Sequence, residues 1–268
     1  MKYITMLQDM WRYKKIMLDF FIKNTECTFD YNGLKVFCVP NTTLFLRQLF
    51  ISLQEGQYIK TEFNKYNKYI MVTPLTKINN LLSLNKTNNL YKKLLDLTQG
   101  KKILDEQELA LIANTINEEL EDDVLEVNYD IAKLLSTVFN VIGDKYFDED
   151  KLYNLLDFCK TDSKQLLILS DYVNLNLDKL YKYTNYYDFI IVTSKLNSAI
   201  YNIKQLETCV VWNDAHNYLE VLDKDKLYAY LEKNTNQIVN DQVMDNYLKR
   251  SGDQLLNAKI DYFLWNIA

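Results

Sequence analysis

The chain has 268 residues, 48% of them hydrophobic and 25% charged, and a formal net charge of −5. With 5 Gly and 2 Pro in all, collagen-like, linker-rich and disordered classes are excluded. The length allows one large core or two small domains. Proteins that hold nucleic acid by neutralising phosphate are usually basic, so any such role here must gather lysines on one local surface.

Residues 1–14 read as a short amphipathic or irregular arm. Strand character follows in Ile16–Ile22, Cys27–Tyr31 and Leu34–Val39. Asn32-Gly33 between the last two is a hairpin-turn pair, because both residues tolerate positive φ. Pro40-Asn41-Thr42-Thr43 ends the third strand. Thr42 or Thr43 then caps a helix running to about Glu55, with Leu46, Leu49, Phe50 and Leu53 on one face. A polar Lys- and Tyr-rich loop from Lys60 to Lys68 precedes a strand at Tyr69–Thr73.

From Asn88 to about Ile142 the periodicity turns helical. Leu90, Leu94 and Leu97 form one stripe, with Gly100 as the C-cap. Leu109, Ile112, Ile116 and Leu120 form a second, and Ile131, Leu134, Leu135 and Val138 a third. After Gly143 strands and helices alternate again. A helix is expected at Asp150–Lys160, a strand at Gln165–Leu169, a helix near Leu175–Tyr183, and strands at Phe189–Thr193 and Cys209–Trp212. Continuous apolar strands joined by helices point to a buried parallel sheet. Beyond Lys224 the pattern gives two helices.

The four cysteines, Cys27, Cys38, Cys159 and Cys209, make no C-x-x-C pair, and the single histidine is His216. That spacing excludes the usual zinc sites and argues for buried thiols in a reducing compartment over a Cys–His nucleophile. No apolar core of a signal peptide opens the chain and no run of about 18 apolar residues occurs. A cytoplasmic location is the expectation.

Three groups of residues bear on chemistry. Pro40–Arg47 stands between a strand and a helix, where a phosphate-binding loop would stand. Such a loop needs glycines that let backbone N–H groups wrap phosphate, and a lysine for the terminal phosphates. No glycine lies between Gly33 and Gly56 and no lysine opens the helix. Leu166–Asp171 nevertheless looks like the acid-ended strand of an ABC-type ATPase head, and Phe189–Ser194 like the strand that follows it. The second group is the acidic run Glu118, Glu119, Glu121, Asp122, Asp123 and Glu126. It reads as a solvated turn or as oxygen donors for a hard cation, though not as an EF-hand loop. The third is Lys60, Lys65 and Lys68, interleaved with Phe63, Tyr66 and Tyr69, a mixture that can meet nucleic acid by charge and stacking. Lys86, Lys92, Lys93, Lys101 and Lys102 form a further basic group on the helical block. Arginines are confined to Arg12, Arg47 and Arg250.

Over residues 14–215 the chain resembles the Csn-two family of type II-A CRISPR adaptation. The likeness is carried by Ile16–Ile22 with Gly33–Leu53, by Tyr69–Leu75, and by Leu94–Gln99 with Glu118–Glu126. It continues in Leu152–Asp157, Leu166–Asp171 and Asp188–Thr193. It implies an α/β fold: a degenerate P-loop, ABC-ATPase-like head with an inserted α-helical leg and a C-terminal helical extension. The expected division is 1–86 and 143–215 for the head, 87–142 for the leg and 216–268 for the extension. The resemblance further implies a non-catalytic homotetrameric ring on double-stranded DNA ends, with lysines facing the hole. Lys60, Lys65, Lys68, Lys86, Lys92 and Lys93 are the candidates. It implies Ca²⁺ held by the acidic run. It also implies a role in spacer acquisition beside the integrase and RNA-guided nuclease of the same locus. Two other readings compete: an interaction scaffold using the Tyr-rich stretch Tyr181–Tyr187, and an ATPase with a degenerate phosphate loop.

Overall fold

The structure is a computed structural model. It describes residues 16–22, 25–61, 65–66, 68–98, 106–120, 131–141, 146, 149–172, 175–214 and 216–266. Those residues fall into two compact units. The first takes in the sequence up to Leu75, Asp148–Leu156 and everything from Lys160 onward; the second is Thr76–Phe147 with Asp157–Cys159. The arm at 1–14 and the Gly100 cap lie outside the described residues.

The first unit is built on two sheets. Strands β1 (Ile16–Ile22) and β2 (Thr25–Tyr31) pair antiparallel in register from Ile16↔Tyr31 to Ile22↔Thr25. Two short strands, β4 (Ile59–Lys60) and β5 (Lys65–Tyr66), complete a sheet of order β2-β1-β4-β5. The segment read from sequence as a loop at Lys60–Lys68 therefore holds a strand pair. Each strand is two residues long, too short to leave a periodic signal.

The second sheet is the expected parallel one. It comprises β3 (Leu34–Cys38), β6 (Ile70–Val72), β7 (Gln165–Ser170), β8 (Tyr187–Thr193), β9 (Cys209–Trp212) and β10 (Tyr218–Glu220). Its order is β10-β9-β3-β8-β7-β6, and all neighbours are parallel except β9 and β10. Every residue of β3, β8 and β9 is buried, which is why these strands read as unbroken apolar runs instead of alternating ones.

Between the two sheets lies an aromatic core. Phe20, Phe29, Phe37, Phe45 and Trp212 are joined by ring contacts of 4.8–6.4 Å between centroids. Truncating one such ring to alanine costs about 3–5 kcal/mol. Helix α1 (Thr42–Gln54) contributes Phe45, Leu46 and Leu49 to this core. Its N-cap is Asn41, whose side chain accepts from the Leu44 N–H, and not Thr42 or Thr43 as the sequence suggested. Asn and Thr both cap well; the Pro40 boundary left the start uncertain by one residue.

In the second unit, α2 (Ile78–Leu81), α3 (Asn89–Thr98), α4 (Glu106–Leu120) and α5 (Ile131–Val138) are all helical. The stripe expected on α4 is misphased: Ile112 and Ile116 are exposed, Leu109 is half-buried, and Ala113 is the buried one among the described side chains. On α5, Leu135 is fully buried and Val138 is exposed.

Helices α6 (Glu149–Phe158) and α7 (Leu177–Tyr181) follow. Tyr187 on β8 donates to the Leu156 carbonyl at 2.8 Å and ties α6 to the sheet. A short helix α8 (Leu196–Ala199) and a 3-10 turn (Ile203–Thr208) lead into β9. The tail carries three helices where two were expected: α9 (Lys224–Thr235), α10 (Asp241–Leu248) and α11 (Gln254–Trp265). Gly252, at positive φ before α11, separates the last two. Residues 216–266 belong to the first unit. Glu220 on β10 also supplies the counter-charge to Lys35, a fully buried lysine on β3. Lys35 Nζ lies 2.5 Å from Glu220 Oε1 and 2.8 Å from the Asp30 carbonyl.

Candidate functional site

The first basic group sits on the β4–β5 pair. Lys60 and Lys65 are directly opposite one another across the two strands. Opposite positions on an antiparallel pair share a face, and like charges there repel. Two contacts offset that repulsion. Asp19, on the neighbouring strand β1, pairs with Lys60 at 2.9 Å. The hydrogen bond from Lys60 to Asp19 raises the lysine above its usual pKa. Lys65 Nζ lies 3.7 Å from the centroid of the Tyr58 ring, with Lys60 6.0 Å from the same centroid. Tyr58 is itself packed on Phe21 at 4.9 Å. The result is two ammonium groups held on one aromatic face, with Lys68 exposed a few residues on.

The aromatic residues of this segment do not form the stacking platform the sequence suggested. Tyr66 is buried, and its hydroxyl donates to Asp188 at 2.5 Å. Tyr69 is stacked on Phe50 at 5.1 Å with the ring planes 4° apart. Phe63 lies outside the described residues. Asp188 draws Tyr66 inward because a fully buried carboxylate needs donors. It also receives Lys164 at 2.9 Å and the Thr61 hydroxyl at 3.4 Å. Burial, with Asp188 close by, holds the Tyr31 phenol far above its ordinary range.

The second basic group belongs to the second unit. Lys86, Lys92 and Lys93 are all exposed there, and Lys93 Nζ sits 4.2 Å above the Phe158 ring. Lys101 and Lys102 lie outside the described residues.

Of the acidic run, Glu118 is exposed near the end of α4, and the backbone of Glu119 is helical. Glu121, Asp122, Asp123 and Glu126 lie outside the described residues. Among the described residues no three His, Cys, Asp or Glu side chains converge as metal ligands.

The crevice at the carboxyl ends of β3, β7 and β8 is the usual ligand position of a parallel sheet. Here Asp171, at φ 60°, closes β7. Its carboxylate accepts from Ser170 at 2.8 Å and from Thr42 at 3.3 Å. The mouth of α1 is thus occupied by protein groups: Asn41 caps it and Thr42 turns to Asp171. With no glycine and no lysine opening α1, the described residues there do not form a phosphate-wrapping loop.

The thiols are not poised for nucleophilic work. Cys27, Cys38 and Cys209 are buried and Cys159 is partly so, all four being free. Burial pushes the Cys209 thiol up to about 12, which leaves almost no thiolate at neutral pH. His216 is exposed. No helix among the described residues is long and apolar enough to cross a membrane.

Neither a family model nor a curated protein matches this sequence.

Proposed function

We propose that this chain is a non-catalytic, cytoplasmic protein that binds double-stranded DNA ends as a homotetrameric ring during CRISPR spacer acquisition. The carrying observation is the Lys60–Lys65 pair, two like charges placed opposite each other on a strand pair whose other two residues, Ile59 and Tyr66, are buried. Asp19 meets the Lys60 charge within the protein, whereas Lys65 is exposed over the Tyr58 ring and is free to meet a phosphate oxygen of a nucleic-acid backbone. Contacts of this kind read the backbone and leave base sequence unread. Lys68 extends the surface, and Lys86, Lys92 and Lys93 offer a second one on the helical unit.

The P-loop-like reading of the head is supported by strand order. β3, which precedes the degenerate loop, is central, and β7, which ends in Asp171, lies one strand away with β8 between. Asn41 and Thr42 fill the place of the phosphate, which favours binding over hydrolysis.

Calcium enters through the donor set. Six carboxylates within nine residues, Glu118 to Glu126, are hard oxygen ligands suited to Ca²⁺. The ion would cancel their mutual repulsion and favour assembly. The integrase and the RNA-guided nuclease of the same locus are the partners this reading expects.

The test is a low-salt gel shift comparing linear with closed circular duplex, with Ca²⁺ or chelator. Calcium-strengthened retention of linear DNA, weakened by Lys65→Glu, is expected. Equal binding to the circle would replace the ring with a surface contact, and no binding to either would sink the proposal. Glu121→Ala with Asp122→Ala should abolish the calcium effect.

A further inference from the structure

A cleft of about 720 Å³ opens between α1 and the edge strand β6. One wall is a single helical stripe: Thr43, Leu46, Arg47, Phe50, Ile51 and Gln54. These positions fall three and four apart and share one helix face. Met71 and Leu75 stand on the opposite wall. Leu46 is buried, while Ile51 and Leu75 are 43% and 78% exposed. The Phe50–Tyr69 stack fixes the wall in place. The volume and the mostly apolar lining are those of a small-molecule site.

The two charges in the lining are not equivalent. Asp171 is already satisfied by the Ser170 and Thr42 hydroxyls. The exposed side chain of Arg47, on α1, makes no hydrogen bond or ion pair among the described residues. A guanidinium offers a fork of parallel N–H groups that matches one planar or tetrahedral oxyanion. We infer that this cleft binds an amphiphilic small molecule with one negative charge, its acidic group on Arg47 and its apolar body against Leu46, Phe50, Met71 and Leu75. A polyanion fits less well. Beyond Arg47 the described residues of the lining hold no second cation, and further negative charge would face Asp171. The inference does not depend on DNA binding, which is placed on the β4–β5 pair and the helical unit.

Anilinonaphthalene sulfonate, an anionic dye that fluoresces in apolar surroundings, tests this in the folded full chain beside its uncharged relative phenylnaphthylamine. One saturable sulfonate site per chain is expected. Arg47→Gln should weaken the sulfonate about tenfold, the loss of one charge-assisted contact, and leave the uncharged relative within about twofold. Ile51→Glu, an exposed position whose change spares the core, should weaken the sulfonate through like charge at the cleft. Unchanged sulfonate affinity in either variant overturns the inference. So does competitive displacement of the dye by ATP at equal concentration, which would mean a polyanion site.

Discussion

At the scale of single residues, Asp188 carries the heaviest electrostatic role. It is 1% exposed and is contacted by Lys164, Tyr66 and Thr61. Two of these groups come from the antiparallel sheet and its connection, so one carboxylate holds that sheet to β8. Removing it takes away the carboxylate that accepts from the Tyr66 hydroxyl and pairs with Lys164. Asp188→Ala should therefore cost about 3 kcal/mol in urea unfolding, because it breaks a buried, charge-assisted pair and its hydrogen bonds. Lys164→Met should cost less, because the Lys164 side chain is 29% exposed and its charge is partly met by water. If the two variants unfold at the same urea concentration, Asp188 does not act as the hub. Sequence inspection grouped Tyr66 with Lys60 and Lys65 as a segment able to meet nucleic acid, and did not foresee its burial against Asp188. Asp188 is 122 positions away, and no local pattern records such a pairing. Asp19, the counter-charge of Lys60, was missed for the same reason, although a lone acid inside the apolar run Ile16–Ile22 was a visible anomaly.

At the scale of elements, the β2–β3 turn illustrates how a backbone position is fixed. Gly33 sits at φ 93°, and a Cβ built there would come within 2.8 Å of Thr184 Cβ. Gly56, after α1, has φ 86° and open space around it. Gly33→Ala should thus destabilise by more than about 2 kcal/mol, strain and clash together, against about 1 kcal/mol for Gly56→Ala. Equal melting shifts would show that Thr184 yields freely. The α9–α10 junction makes a pH-dependent case. Lys224 and Asp241, the first residues of those helices, are 2.7 Å apart. Hydrogen bonds from Lys224 and Tyr228 hold Asp241 below its ordinary 3.8, and the same contact holds Lys224 above 10.5. A depressed acid stabilises above its unfolded pKa, and that contribution is lost as pH falls through the folded value. Between about pH 5 and pH 3, the wild type should lose more stability than Asp241→Asn; parallel pH profiles would remove the pair from the account. The long apolar strands were legible because burial on both faces leaves an unbroken hydrophobic run. The strands β4, β5 and β10 were not, since two or three residues are too few to leave a periodic signal, and the tail was read as two helices because the break at Gly252 was not recognised.

At the scale of the whole molecule, the question is how a chain of net charge −5 would hold a polyanion. The answer proposed is local: a few lysines on fixed supports, with the excess acid elsewhere. That arrangement has a measurable consequence. Each phosphate neutralised releases condensed counterions, and the logarithm of the binding constant falls with that of salt by about 0.9 per contact on duplex DNA. Lys65→Gln should reduce the magnitude of this slope by about 0.9 for every copy of Lys65 that touches phosphate. Lys60→Gln should do less, because Lys60 is already paired with Asp19 and part of its charge is spent within the protein. Lys93→Gln reports on the helical unit separately. A full-size change at Lys93 with none at Lys65 would move the DNA contact from the β4–β5 pair to the helices. Long-range repulsion adds a second signature, because the Debye length is about 30 Å at 10 mM salt and about 8 Å at physiological salt. An acidic protein with a local basic patch should therefore associate slowly at the lowest salt, speed up as repulsion is screened, and still bind less tightly as salt rises. A protein that is attractive over its whole surface would show its fastest association at the lowest salt, and that result would place the DNA contact in a field unlike the one this composition creates.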